Sequence, residues 1–203
     1  MAFRHYKNIA QVQEAYDIQY REFNFIRVNH IKISKRFLTE FEFNLKNLDV
    51  FSSEGARCEL IILPLLREAY KNYVNQFMLW IQKSIRYNKE LNGTPDYLVS
   101  KRSKLGKTVL EYPILMVAEA KKNDFEQSWG QCLAELVAAQ KLNNQSELPV
   151  YGIVTDGKTW EFGHLEQAIF TKNIDSFPIS HVETILGILD FLFSQVRNLH
   201  KIT

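Results

Sequence analysis

The chain has 203 residues, 46% of them apolar, with 25 lysines and arginines against 23 aspartates and glutamates. That is enough to bury roughly 70% of the unfolded surface in one compact core, while a net charge of +2 excludes a global basic field as an argument for nucleic acid. The longest apolar run, Leu60 to Leu66, is broken by Pro64 and too short to cross a bilayer; Met1-Ala2-Phe3-Arg4 opens no secretory segment. With Cys58 and Cys132 both in apolar helical surroundings, the expectation is a cytoplasmic protein with free thiols and no membrane association.

In chain order, residues 1–50 read as an extension packed on the rest: a helix near 8–16, an extended piece near 18–28 and a helix near 34–46, with Phe37 and Phe41 at core spacing. Residues 51–203 read as the main domain. Ser52-Ser53-Glu54 opens a helix over 53–73, serine being a good cap, with a bend at Pro64. Strands follow near 77–86, 95–101 and 112–121. Asn123, with Glu126 three positions on, opens a helix over 124–142 that buries Phe125, Trp129, Cys132, Leu136 and Ala139. A strand at 149–155, a type I′ turn at Asp156-Gly157 and a strand at 158–164 continue the sheet. The last helix, 180–199, is apolar on two faces, one with Ile185, Leu189 and Phe193 and another with Ile188 and Phe191. The second face needs cover from residues 1–50 or from another copy, and a homodimer is the expectation. The fold class is α/β (α+β), a mixed sheet flanked by helices.

Two short motifs carry chemistry. Thr94-Pro95-Asp96-Tyr97 sets a carboxylate after a turn proline, and Glu119-Ala120-Lys121 closes the apolar run Ile114 to Ala118. Alternation puts Glu119 and Lys121 on one strand face, where their charges are costly to bury without partners. Asp96 on a neighbouring antiparallel strand supplies one, and the set is a hard-oxygen site for Mg²⁺ or Mn²⁺. An acid-x-Lys triplet arises about once by chance in such a chain. Asp156-Gly157-Lys158 is a second one, read here as a hairpin turn. Other chemistries fall away: Gly106-Lys107-Thr108 lacks the upstream glycine of a phosphate loop, the histidines lack zinc spacing, and no Gly-x-Ser-x-Gly elbow occurs.

The constellation resembles the PD-(D/E)XK nuclease superfamily, whose core runs α-β-β-β-α-β. Over most of 52–165 it is similar to the nuclease domain of type I restriction-enzyme motor subunits. The matching residues are Ser53-Glu54, Leu60 to Leu66, Glu119-Ala120-Lys121, Gln131, and Val154 to Trp160, with Asp156 where that family usually has Asn. The helicase part is absent, so translocation does not carry over. The resemblance implies a restriction-endonuclease-like core and Mg²⁺-dependent (or Mn²⁺-dependent) hydrolysis of phosphodiesters, DNA above all, with RNA as an alternative substrate. It implies Asp96 and Glu119 as metal ligands with the Ala120 carbonyl and Glu54 completing the shell. Lys121 would orient the attacking water and offset charge on phosphorus, and Gln131 would stand near that water or the phosphate. Glu54 is equally a helix-start carboxylate favoured by the dipole, Glu59 is its substitute one turn on, and Thr155 is a weaker phosphate contact. A nucleic-acid-binding or assembly module that keeps the fold without catalysis is the rival reading. The basic cluster Lys101, Arg102, Lys104 and Lys107 falls at the opposite sheet end and reads as a solvated turn.

Overall fold

A computed structural model describes residues 2–120 and 124–199. Lys121, for which the sequence implies a catalytic role, and Asn123, expected to cap a helix, lie outside the described residues.

Side-chain oxygens start the first helices. Asn8 accepts from the Gln11 N–H ahead of α1 (Ile9–Tyr16), and Ser34 from Phe37 ahead of α2 (Lys35–Asn47), with the short strand β1 (Gln19–Glu22) between them. The helix expected over 53–73 is three pieces. Ser53 caps α3 (Glu54–Arg57), a π-helical turn spans Cys58–Ile62, and α4 runs over Leu63–Tyr70. Pro64 is the cause, but the distortion lies one turn before it. Proline offers no N–H to the Leu60 carbonyl and its ring crowds that carbonyl, so the chain widens and Leu63 N–H reaches back to the Cys58 carbonyl instead. The Asn44 amide donates to the released Leu60 oxygen at 3.4 Å.

The strand expected over 77–86 is also divided. β2 (Phe77–Ile81) ends at Gln82, whose φ is +49°; β3 (Ile85–Arg86) then pairs with β4 (Asn92–Gly93) in a separate ribbon. Next come β5 (Tyr97–Arg102), β6 (Leu110–Ala120), α5 (Phe125–Asn143), β7 (Val150–Thr155), β8 (Thr159–Glu166), β9 (Ile169–Lys172), β10 (Phe177–Pro178) and α6 (Val182–Leu199). Asp124 caps α5 by accepting from the Gln127 N–H, one residue later than expected.

The main sheet is ordered β1-β9-β8-β7-β6-β5-β2, with β10 also on β8. β2, β5 and β6 are antiparallel neighbours, and β6 and β7 are parallel, joined by the α5 crossover. The chain is therefore an α+β protein with a mixed sheet flanked by helices. α5, backed by α1, covers one sheet face; α4 and α6 cover the other. Trp129 and Trp160 are both buried core residues. The turn after β7 is not type I′. Thr155 pairs with Trp160, only Gly157 in the turn has positive φ (+83°), and Asp156 Oδ1 accepts from the Lys158 and Thr159 amides at 2.9 and 2.8 Å. The Thr155 hydroxyl is spent on the Thr159 carbonyl and the Gly157 N–H, a turn-closing role rather than a phosphate contact.

The second apolar face of α6 is covered by the chain itself. Ile188 and Phe191 are buried, and Phe25, Ile26, Ile31 and Ile33 pack into the same core. Backbone meets backbone there, with Asn29 N–H donating to the Gly187 carbonyl at 3.2 Å and the Asn29 amide reaching Asp190 at 2.9 Å. The apolar surface that argued for a homodimer is thus used internally. A methyl group at Gly187 would lie 2.5 Å from the Asn29 carbonyl oxygen. Gly187→Ala is predicted to cost about 1–3 kcal/mol by this overpacking, read as a lower urea midpoint with proteolysis appearing first within 25–33.

His164 stands edge-on to Phe25, ring centroids 4.6 Å apart, and beside Tyr151. Burial, helped by the charge of Arg21, pushes its pKa down to about 4. The folded state therefore binds a proton less readily than the unfolded chain, whose histidine titrates near ~6.5. The contribution is complete above that value and lost as pH falls through about 4. Urea unfolding between these limits should show a stability loss of about 3 kcal/mol, much reduced in His164→Gln.

Candidate functional site

The antiparallel register sets Tyr97 of β5 opposite Ala118 of β6. One further step places Asp96 opposite Glu119, where facing Cα atoms lie roughly 4.5–5.5 Å apart and side chains share a face. Asp96 Oδ2 accepts from the Ala120 N–H at 2.8 Å, which locks the residue before β5 to the last residue of β6. The Ala120 carbonyl sits at that same strand end, beside Thr155 of β7 in the parallel register. Asp96 and Glu119 are thus brought together by strand pairing alone.

Glu119 is only 1% exposed, and it meets α5. Gln131, also buried, uses one amide nitrogen for two carboxyl groups: Nε2 donates to Glu119 Oε2 at 2.7 Å and to Glu135 Oε1 at 3.2 Å. Gln131 therefore positions the Glu119 carboxylate. Glu135 is a member of this cluster that the sequence reading missed. Gln127, Gln131 and Glu135 recur at every fourth position on a helix otherwise buried and apolar, and extending that stripe by one step would have found it. Burial drives the Glu135 carboxyl well above the usual carboxylate range, and the charge of Glu119 and a hydrogen bond to it act in the same direction. Of the two carboxyl groups that Gln131 joins, Glu135 is the one whose protonated form burial favours.

Glu54 and Glu59 approach from the opposite sheet face, and both are exposed. The π turn carries Cys58, half-buried, whose carbonyl accepts from the Tyr97 hydroxyl at 3.2 Å. The Cys58 thiol is pushed up to about 11 by burial, opposed by its Tyr97 hydrogen bond and reinforced by the negative charges of Asp96, Glu54 and Glu119. The charges of those three carboxylates are felt at the thiol, and that of Glu59 at the Tyr97 hydroxyl. Glu54 also keeps its ordinary place at the start of α3. The Cys58 thiol stays protonated and is no nucleophile.

Among the described residues, no group of three or more His, Cys, Asp or Glu is close enough to hold a metal ion. What stands at the strand ends is a pair of hard carboxylates beside a main-chain carbonyl. That set fits Mg²⁺ or Mn²⁺, which keep several waters and take one or two carboxylates together with substrate phosphate, better than a cation demanding a full protein cage. The basic cluster lies at the other sheet end, as expected. No helix of the described residues is long and apolar enough to cross a membrane.

No protein-family model matches the chain, and no curated protein sequence does.

Because the Glu135 carboxyl holds its proton more tightly in the folded state than in the unfolded chain, where it titrates near ~4.3, its contribution to stability falls as pH rises above that value. Glu135→Gln, which replaces the acid by a neutral donor of the same shape, is predicted to raise the unfolding temperature at pH 7 to 8 in EDTA and to match the wild type near pH 4. Glu135→Ala should instead destabilise at every pH by about 2–4 kcal/mol, through the cavity and the lost hydrogen bonds. Thermal unfolding across that pH range reads both.

Proposed function

We propose that the protein is a metal-dependent nuclease of the PD-(D/E)XK type, with a restriction-endonuclease-like core, that hydrolyses phosphodiester bonds of DNA. The observation that carries the reading is the buried carboxylate Glu119, held opposite Asp96 just after the apolar run Ile114 to Ala118. Burying two carboxyl groups against each other destabilises a fold relative to apolar residues of the same size, and such clusters concentrate where chemistry uses them. The order helix, three antiparallel strands, helix and parallel strand supports the same reading.

Asp96, Glu119 and the Ala120 carbonyl would hold Mg²⁺, with Glu54 reaching the shell from α3. A divalent cation at this place supplies Lewis acidity toward the phosphate and its attacking water. The chain's own parts have separate tasks. Gln131 fixes the Glu119 carboxylate by the 2.7 Å hydrogen bond. Ala120 N–H fixes Asp96 by the 2.8 Å bond. Lys121, two positions beyond Glu119, would orient the water and offset negative charge on the non-bridging oxygens. Helices on both sheet faces keep bulk water from all but one end of the cluster, which strengthens each of these interactions. One observation favours the rival reading of a module without catalysis: Glu119 is almost wholly enclosed, so substrate access requires some opening at the strand end.

Incubation of the purified protein with supercoiled plasmid and Mg²⁺ or Mn²⁺ decides between them. The wild type should nick or linearise DNA and stop in EDTA. Asp96→Asn should lose Mn²⁺ binding in calorimetry and slow cleavage by at least ~100-fold. Lys121→Ala should keep Mn²⁺ binding and lose turnover to a similar extent. Cleavage at the wild-type rate in both variants would show that the activity belongs elsewhere, and a wild type that binds DNA without cutting it would support the non-catalytic module. RNA of matched sequence in the same assay separates the two nucleic acids.

A further inference from the structure

The sheet end opposite the carboxylates holds a cleft of about 580 Å³ where the start of β2, the β5–β6 hairpin and the loop after α5 meet. Lys101, Arg102 and Lys104 line it together with the amides of Asn75, Gln76 and Gln145, and no carboxylate does. Arg102 is braced from behind: Nη1 donates to the Val74 carbonyl at 2.9 Å, and its backbone N–H donates to the Gln76 carbonyl at 2.8 Å. Lys101 and Lys104 are exposed. Glu111 stands across from Lys101 in the strand register, yet among the described residues no ion pair engages Lys101, Arg102 or Lys104. Three unpaired cations and three amide groups without an acid make a site for the oxygens of a polyanion.

The carboxylate end is a poor source of affinity for DNA without metal, since Asp96 and Glu119 repel phosphate and the single charge of Lys121 offsets only one of them. With a net charge of only +2, the chain has no diffuse field to compensate. Attraction has to come from a localised place, and this cleft is one. It lies about 20 Å from Asp96 along β5, at roughly 3.3 Å per residue, which is about six base pairs of duplex at ~3.4 Å each. Resting on the nuclease reading above, we infer that the cleft binds the phosphodiester backbone of the same DNA duplex, about six base pairs from the bond presented to Asp96 and Glu119.

The test compares Lys101→Ala/Lys104→Ala with the wild type on a hairpin duplex of about three base pairs, too short to span that distance, and on a duplex of about twenty, in EDTA over a salt series for affinity and in Mn²⁺ for cleavage. Both lysines are exposed and remote from the carboxylates, so the fold is kept. For the long duplex, the plot of log affinity against log salt should become shallower by about 1.8, two phosphate contacts at ~0.9 each. Mn²⁺-dependent cleavage of the short hairpin should be unchanged, because it cannot lie at Asp96 and Glu119 and reach the cleft at once, while cleavage of limiting long duplex should slow. An unchanged slope on the long duplex overturns the inference, as does an equal loss of cleavage on both lengths or a wild type with no affinity for duplex DNA. If the slope changes as stated while neither protein cleaves anything, hydrolysis is wrong and the cleft assignment stands.

Discussion

Strand β6 is covered by α5 on one face and by α4 and α6 on the other, so both of its faces must be apolar, and this constraint shapes everything around it. Ile114, Leu115, Met116 and Val117 are essentially inaccessible, and the strand is hydrogen-bonded along both edges, to β5 and to β7. A carboxylate at the end of such a strand cannot turn to water on either side. Glu119 is therefore held by what α5 brings, the Gln131 amide and, one helical turn further along, the Glu135 carboxyl that shares that amide, while Asp96 faces it across the strand pair. Parallel pairing of β6 with β7 forces the α5 crossover, and the crossover delivers Gln131 to the end of β6. Topology and site are in this sense one feature.

The π turn before Pro64 extends the same logic to the other sheet face. A regular helix over 54–70 would keep Cys58 N-terminal to an unbroken hydrogen-bond ladder. The missing proline N–H instead lets Leu63 bond to the Cys58 carbonyl, which also accepts the Tyr97 hydroxyl. That second bond ties the helix to the residue next to Asp96. A sequence effect worth one hydrogen bond thus fixes how α3, with Glu54 at its start, stands over the strand ends.

Much of this was legible in the sequence, because its signals are local. Ser52 and Ser53 mark a helix start, the spacing of Phe37 and Phe41 marks a buried face, and the apolar run into Glu119 marks a covered strand. Asp96 and Glu119 were legible as a pair because both sit where a strand begins or ends. The missed elements lacked such signals. β9 follows a tight turn at Gln167-Ala168, where Gln167 takes a φ of +53° that turns normally assign to glycine. The turn is held from outside, by Gln167 N–H to the Ser146 carbonyl and by the Gln140 amide to the Gln167 carbonyl. The parallel pairing of β1 with β9 joins residues about 150 apart in sequence, and no local pattern announces it. Glu135 was missed because a single acid on a long helix reads as a surface residue until the helix is known to be buried almost all round.

The cover over α6 bears on how the protein can meet other molecules. Once residues 25–33 close that helix, the large apolar side chains left exposed, such as Phe23, Phe43, Ile81 and Leu105, fall on separate elements rather than on one face. Apolar burial is then a weak driver of association, and charge is what remains. The charges are not mixed evenly: Asp96 and Glu119 face each other at one end of β5 and β6, and Lys101, Arg102 and Lys104 line the cleft at the other. Two opposed ends about 20 Å apart exceed the screening length of roughly 8 Å at physiological salt, so each acts on a partner independently. A long polyanion is attracted at one end and repelled at the other unless a cation neutralises the carboxylates, and metal loading would then set where along such a partner the protein comes to rest.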